Sequence, residues 1–331
     1  MLRFDYLGIS ALISTQNEAF QDHLRSNYGA FLRVVEQGQD QTADVIIEVE
    51  FVNAGDSKAT RWLEETRKKA PWTLGTSLNG GENTIFYHYG PNLICSSRKE
   101  DGLHISALFA KTRKFTVSSM MDKSRWHEAF QSIMRLCIHF PMFNLLQQRG
   151  YSVLHSSAMA KNGRAVLFFG LNGAGKTTTA LGLTPEMTLI ADNFLLSDGE
   201  FVYGFPETTR ISKSTAEACQ LEASGKEIYG KFQRDNKLDP ADVKAKAVMA
   251  VICRRGKETR WDELPRAEAL AYVEAADRFL HETHAYSYMT FLAGRKEPDR
   301  YPDCPYFMAT LGDFQSARRM IREKAGDPHG L

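Results

Sequence analysis

The segment Gly170-Leu-Asn-Gly-Ala-Gly175-Lys176-Thr177 restricts the fold more tightly than any other part of the chain. It fills the pattern G-x-x-x-x-G-K-[ST], directly follows the apolar run Ala165-Val-Leu-Phe-Phe169 and leads into a helix-compatible stretch from Lys176 to Leu183. That strand, loop, helix succession is the setting in which a glycine loop cradles phosphate. Glycines let backbone N–H groups converge on phosphate oxygens, and the start of a helix adds the positive end of its dipole. Lys176 would reach the β- and γ-phosphates, and the Thr177 hydroxyl would sit on Mg²⁺. Gly170, Asn172, Gly173, Ala174, Gly175 and Thr178 complete the expected cradle. The competing explanation is a glycine-rich strand-to-helix turn without a ligand.

Three further positions surround the loop in sequence. Asp192 closes the apolar run Met187-Thr-Leu-Ile-Ala191. In an open α/β sheet the carboxyl end of a strand is where ligands lie, so Asp192 could hold Mg²⁺ or accept a proton from an attacking hydroxyl; the plain alternative is a cap or turn. His155 ends the short run Ser152-Val-Leu-His155, which could pair beside the loop strand, although a lone histidine is more often a packing residue. The turn Gly204-Phe-Pro-Glu207-Thr-Thr-Arg210 carries a carboxylate that could face the metal and a guanidinium that could face phosphate. It reads equally as an exposed turn with an ion pair.

The rest of the chain divides by pattern. Short β-branched or aromatic runs at 44–52, 84–89, 92–95, 103–109 and 114–118 predict an antiparallel sheet in the first third. From Trp126 to Gln148 apolar residues recur at helical spacing, with Pro141 set to kink the stretch and Gly150 to end it. This predicts a β-rich α+β domain over 1–124 and an α/β domain over 125–331, entered through a bridge helix at 125–150. Two domains also suit the length of 331 residues. The net charge of +1 argues against a protein that coats nucleic acid or an anionic membrane. No secretory signal and no bilayer-length apolar run is visible, and the five cysteines are widely spaced, so a cytoplasmic location is expected. The pair His281 and His284 reads as ordinary helix-end histidines and not as a metal site.

The stretch from Leu154-His155 through Gly-Leu-Asn-Gly-Ala-Gly-Lys-Thr-Thr, then Leu-Ile-Ala-Asp192-Asn193 and Ser-Asp-Gly-Glu-Phe-Val-Tyr-Gly-Phe-Pro, resembles HPr kinase-like proteins, of the fold group that includes ATP-dependent phosphoenolpyruvate carboxykinase. The likeness covers about residues 150 to 255. It implies a P-loop kinase domain of that type, using ATP and Mg²⁺ to phosphorylate a serine-type hydroxyl. It further implies that Lys176 contacts phosphate, Thr177 binds Mg²⁺, Asp192 is the acid/base, His155 supports it, and Glu207 lies on the metal side. HPr kinases carry two adjacent aspartates where this chain has Asp192-Asn193; Asn193 can offer Mg²⁺ a carbonyl but no charge. The loop also looks like that of ABC transporter ATPases, but no Leu-Ser-Gly-Gly-Gln-type signature follows.

Between Thr208 and Arg260 twelve basic residues stand against seven acidic ones. A basic segment next to an ATP site suits triphosphate or an acidic peptide, and a solvated lysine-rich face would look the same. Gly225 and Gly230 would let part of it act as a cover. The expected acceptor is a serine in a peptide or carrier protein, with a small-molecule hydroxyl second. The amino-terminal domain would then select the substrate or build a homo-oligomer. An ATP-sensing module that transfers no phosphoryl group is the rival from another class.

Overall fold

The computed structural model describes residues 1–36, 42–53, 57, 61, 64, 72–74, 78–80, 83–89, 92–111, 130–221, 227–228, 231–234, 238–281 and 300–325. They fall into two compact units, one drawn from Met1–Gln148 and the other beginning at Arg149.

The first unit is built on β1 (Leu2–Tyr6), β2 (Ile9–Thr15), α1 (Glu18–Tyr28), β3 (Leu32–Val34), β4 (Val45–Asn53), β5 (Trp72–Leu74), β6 (Leu78–Gly80), β7 (Thr84–Tyr89), β8 (Asn92–Lys99) and β9 (Gly102–Lys111). The strands form one sheet in the order β3-β1-β2-β4-β9-β8-β7-β6-β5. It is not the purely antiparallel sheet expected from the sequence, because β4 runs parallel to both β2 and β9. The chain does not pass from β2 to β4 by a tight hairpin: α1 leads from β2 to β3, which pairs with β1, and only then does β4 follow beside β2, a crossover that permits the parallel pairing of β2 and β4. The strand expected at 114–118 lies outside the described residues.

Residues 130–134 are helical, Arg135–His139 form a π-helical turn, and α2 (Phe140–Gln148) completes the rod. The wide turn sits immediately before Pro141, where a regular α-helix would drive the proline ring into the carbonyl four residues back. Phe130 packs on Phe20 with ring centroids 5.1 Å apart, and His139 Nε2 shares a 2.9 Å hydrogen bond with the Tyr28 hydroxyl. These contacts seat the rod in the first unit, whereas its helical pattern alone suggests the entrance to the second.

The second unit contains β10 (Ser152–His155), β11 (Ser157–Lys161), β12 (Arg164–Phe169), α3 (Lys176–Leu181), β13 (Thr188–Ala191), β14 (Phe194–Ser197), β15 (Phe201–Gly204), β16 (Thr209–Ser212), α4 (Lys213–Cys219), β17 (Glu227–Ile228), β18 (Lys231–Arg234), β19 (Lys244–Arg255), β20 (Arg260–Leu264), α5 (Arg266–His281), β21 (Tyr306–Leu311) and α6 (Phe314–Ala325). Strands β12 and β21 each pair in parallel with β19, and β20 pairs antiparallel with β21. β16, β18 and β17 make a separate small sheet.

The principal sheet runs β10-β14-β15-β19-β12-β11-β13. Its two terminal strands belong to one ribbon. His155 pairs with Phe194, and Ala158 pairs with Ala191 at the same offset, so 152–158 and 191–197 keep a single antiparallel register through the junctions. One half of this ribbon joins β15 and the other half joins β12, so the pairing closes on itself. The bend in the ribbon falls at Ser156-Ser157 opposite Asp192-Asn193.

Val166, Phe168 and Val251 of the sheet pack with Ala180 and Leu181 of α3, Ala216 of α4 and Ile321 of α6 in one buried cluster. Complete burial of a side chain such as Phe168 contributes about 1.5–3 kcal/mol. This packing fixes α3 against the strand that feeds it, and with it the loop between them.

Candidate phosphate-binding site

The loop 170–175 leaves the carboxyl end of β12 beside the carboxyl end of β19. Gly170 has φ +139°, and a Cβ there would stand 2.6 Å from the Cys253 carbonyl oxygen. Gly175 has φ +102°, and its Cβ would stand 3.0 Å from Leu311 Cδ1 at the end of β21. Only glycine meets both demands at these positions, a left-handed backbone and close neighbours. The loop is held by its own amides, with Ala174 N–H donating to the Leu171 carbonyl at 3.1 Å and Thr179 N–H to Gly175 at 2.8 Å.

Lys176 is only 7% exposed. Its ammonium donates to the Gly170 carbonyl at 2.7 Å and to Leu171 at 3.4 Å, so a full positive charge is carried inside the loop. Asn172 is exposed, and Thr177 is half-buried at the start of α3. The Thr178 hydroxyl lies 2.9 Å from that of Thr215 on α4. Arg255 at the end of β19 donates through Nε to the Gly173 carbonyl at 2.8 Å and so adds a second cation to the loop. Beside these charges, burial pushes the Cys253 thiol up to about 12, with a Thr179 hydrogen bond and Lys176 acting the other way. Cys253 is therefore a neutral packing group at ordinary pH.

Asp192 and Ser157 face each other across the ribbon. The Ser157 hydroxyl donates to Asp192 Oδ1 at 3.0 Å and also approaches the Asp192 carbonyl at 3.3 Å. Ser157 in turn pairs with Phe168, two residues before Gly170. The register thus carries Asp192 to the end of the sheet from which the loop leaves. His155 pairs with Phe194 at the same bend and is buried. Gly204 packs so closely on Ile190 that a Cβ would overlap the Ile190 carbonyl, which brings the Gly204–Glu207 turn alongside the strand ending in Asp192. Glu207 is buried. Arg210 lies on β16 opposite Gln233, in the small sheet.

Among the described residues no group of three or more histidine, cysteine, aspartate or glutamate side chains is arranged to hold a metal. The expected set of Thr177, Asp192, Asn193 and Glu207 holds two carboxylates. It suits a Mg²⁺ that shares phosphate oxygens and keeps some of its water, which is how Mg²⁺ commonly binds beside nucleotides.

Among the described residues, several of the basic side chains between Thr208 and Arg260 have local partners. Lys244 lies 3.8 Å over the Phe201 ring, Arg254 Nε donates to Thr310 Oγ1 at 2.8 Å, and Arg260 pairs with Asp262 at 2.7 Å. Gly225 and Gly230, the expected hinges of a cover, lie outside the described residues, as does His284.

Residues 128–229 match the phosphoenolpyruvate carboxykinase family model. The match spans a little under a third of the chain and takes in the glycine loop, Lys176, Thr177, the Ser157–Asp192 pair and Glu207. Phosphoenolpyruvate carboxykinases of this ATP-utilising type form a kinase-like ATP-binding family that works with a divalent metal. The similarity therefore falls on an ATP- and phosphoryl-handling region. The mixed α/β architecture with two large mixed sheets is consistent with that type of fold. No described helix is long and apolar enough to cross a membrane.

Sequence reasoning does not single out Ser157 or Arg255 as functional. Arg255 stands there only as one of twelve basic residues, and Ser157 gains its position from a partner 35 residues away.

Proposed function

We propose that the second unit is an ATP- and Mg²⁺-dependent phosphotransferase that phosphorylates a hydroxyl, with Asp192 as its acid/base. The observation that carries this reading is the carboxylate of Asp192, held by Ser157 at the sheet end that also bears the phosphate loop. The acceptor oxygen attacks the γ-phosphorus, the bond to the β,γ-bridging oxygen breaks, ADP leaves, and the acceptor's proton passes to Asp192. Lys176 and the loop amides stabilise the charge on the transferring group, and Arg255 keeps the loop in shape through Gly173. Bound Mg²⁺, held by Thr177, Asp192, Asn193 and Glu207, would neutralise phosphate charge. His155 is assigned a positioning role behind Asp192, and Arg210 a phosphate-side role.

The acceptor placed first is a serine of a peptide or carrier protein, as the HPr kinase-like motifs imply. The match to a phosphoenolpyruvate carboxykinase model favours a second reading, a small molecule as the phosphoryl acceptor or donor. Incubation with γ-labelled ATP and panels of serine peptides, carrier proteins and small hydroxy acids tests both. Transfer by the wild type that is abolished in Asp192→Ala is expected, and transfer undiminished in that variant would remove Asp192 from the mechanism.

A further inference from the structure

We infer that the first unit carries a ligand site of its own, a cavity of about 780 Å³ that takes a zwitterionic molecule of the amino-acid or short-peptide class. The inference goes beyond the phosphate site and does not depend on it. A cavity of this volume lies within the range that holds small organic ligands. It sits at the end of the sheet where β4 and β9 begin and β8 finishes, and α2 contributes a wall. Among the described residues its lining includes no aromatic ring, so it offers no platform for a flat base. It is lined instead by three cations, Arg3, Arg98 and Lys99, and by three carboxylates, Asp44, Glu100 and Asp101.

Equal numbers of opposite charges set the class of ligand. A molecule with a net charge would upset this balance on burial, whereas a zwitterion meets both signs. Most of the lining charges are already engaged. Arg3 donates through Nε to Asp5 Oδ1 at 2.9 Å and through Nη1 to the Thr42 carbonyl at 3.0 Å. His104 bridges the next two, with Lys99 Nζ 3.3 Å from its Nδ1 and Asp101 Oδ1 2.9 Å from its Nε2. Arg98 differs: its amide donates to the Asn83 carbonyl, and its exposed guanidinium has no side-chain partner among the described residues. A guanidinium presents two parallel N–H groups to a carboxylate. Asp44 is the fixed acceptor. Its Oδ2 accepts from the Ser10 amide at 2.9 Å and the Ser10 hydroxyl at 3.4 Å, and its carbonyl accepts from the Leu103 amide at 2.9 Å. Gly102 packs on it with φ +135°, and a Cβ there would stand 2.8 Å from the Asp44 carbonyl oxygen. The carboxylate of the ligand thus belongs on Arg98 and its ammonium on Asp44. Gln148 Nε2 donates to Asn144 Oδ1 at 3.1 Å on α2, and this pair offers amide groups to a peptide bond or a polar side chain.

Calorimetric titration of the full chain, without ATP, against the common L-amino acids and a set of dipeptides tests this and separates free amino acids from peptides. Saturable binding by at least one of them is expected. Blocking either charge of that ligand, as its N-acetyl or its C-amide form, should raise the Kd at least about tenfold in the wild type. Arg98→Gln should weaken the free ligand by about as much and leave the C-amide form within about twofold of its wild-type Kd, because variant and amide remove the same contact. The exposure of Arg98 makes this variant safe for folding. Asp44→Asn should likewise weaken the free ligand and spare the N-acetyl form. Failure of every amino acid and dipeptide to bind would overturn the inference, as would blocked forms that bind as tightly as the free ones. Equal weakening of free and amidated ligand by Arg98→Gln would also overturn it. The phosphate-loop reading stands in each of these cases, since no nucleotide takes part.

Discussion

Ser157 is the residue on which the proposed chemistry turns. A hydroxyl that donates to a carboxylate restrains it, and hydrogen bonds to charged groups contribute about 1.5–3 kcal/mol. Ser157→Ala should lower the rate of phosphoryl transfer about tenfold or more and leave ATP affinity within about twofold, because Asp192 loses its aim while the loop is untouched. Single-turnover transfer rates alongside binding titrations would separate the two effects. Equal loss of rate and affinity would instead place Ser157 in binding. The loop glycines, Lys176 and Thr177 are legible directly in the sequence, since a contiguous motif needs only its own backbone. The Ser157–Asp192 pair is not legible there, because it is made by strand register.

Among elements, the apolar runs 152–155, 165–169, 187–191 and 247–253 all form strands, because a core strand flanked on both sides announces itself by continuous hydrophobicity. β11 does not announce itself, since Ser157-Ala-Met-Ala-Lys161 carries no β-branched residue and is a strand only through its pairing with β12 and β13. The parallel placement of β4 beside β2 is likewise hidden, being a property of the crossover through α1 and β3 and not of β4 itself. That crossover starts at a cap: Asn17 Oδ1 accepts from the Phe20 amide at 2.9 Å. Asn17→Ala should cost about 1 kcal/mol, read as a lower urea midpoint with an unchanged slope. The β14–β15 turn titrates in a defined direction. Burial raises the Asp198 carboxyl, but the Tyr203 hydroxyl, the Phe201 and Glu200 amides and Lys244 outweigh it and leave it below the ordinary carboxylate range. The folded state therefore binds this proton less readily than the unfolded chain. The stabilisation is complete above the unfolded value of about 3.9 and is lost as pH falls through the lower folded value. Urea midpoints between pH 6 and 3 should show Asp198→Asn least stable relative to wild type at the top of that range, with the gap narrowing in acid.

At the scale of the molecule, a net charge of +1 conceals local order more than a local field. The basic excess after the loop is spread over β16, α4, β18 and β19, and much of it is tied to aromatic rings, carbonyls and carboxylates nearby. What the second unit does concentrate is connectivity. Because both ends of its principal sheet belong to one ribbon, β12, flanked by β11 and β19, cannot shed a neighbour by fraying inward from an edge strand, whereas β19 also borders β21, which carries β20 on its other side. In hydrogen–deuterium exchange the amides of Val166–Phe169 should be replaced only when the whole unit opens, whereas those of Asn172 and Gly173 should exchange within the native state until ATP slows them. A closed sheet with an open loop at its rim lets the nucleotide come and go at a place where backbone motion costs the core nothing.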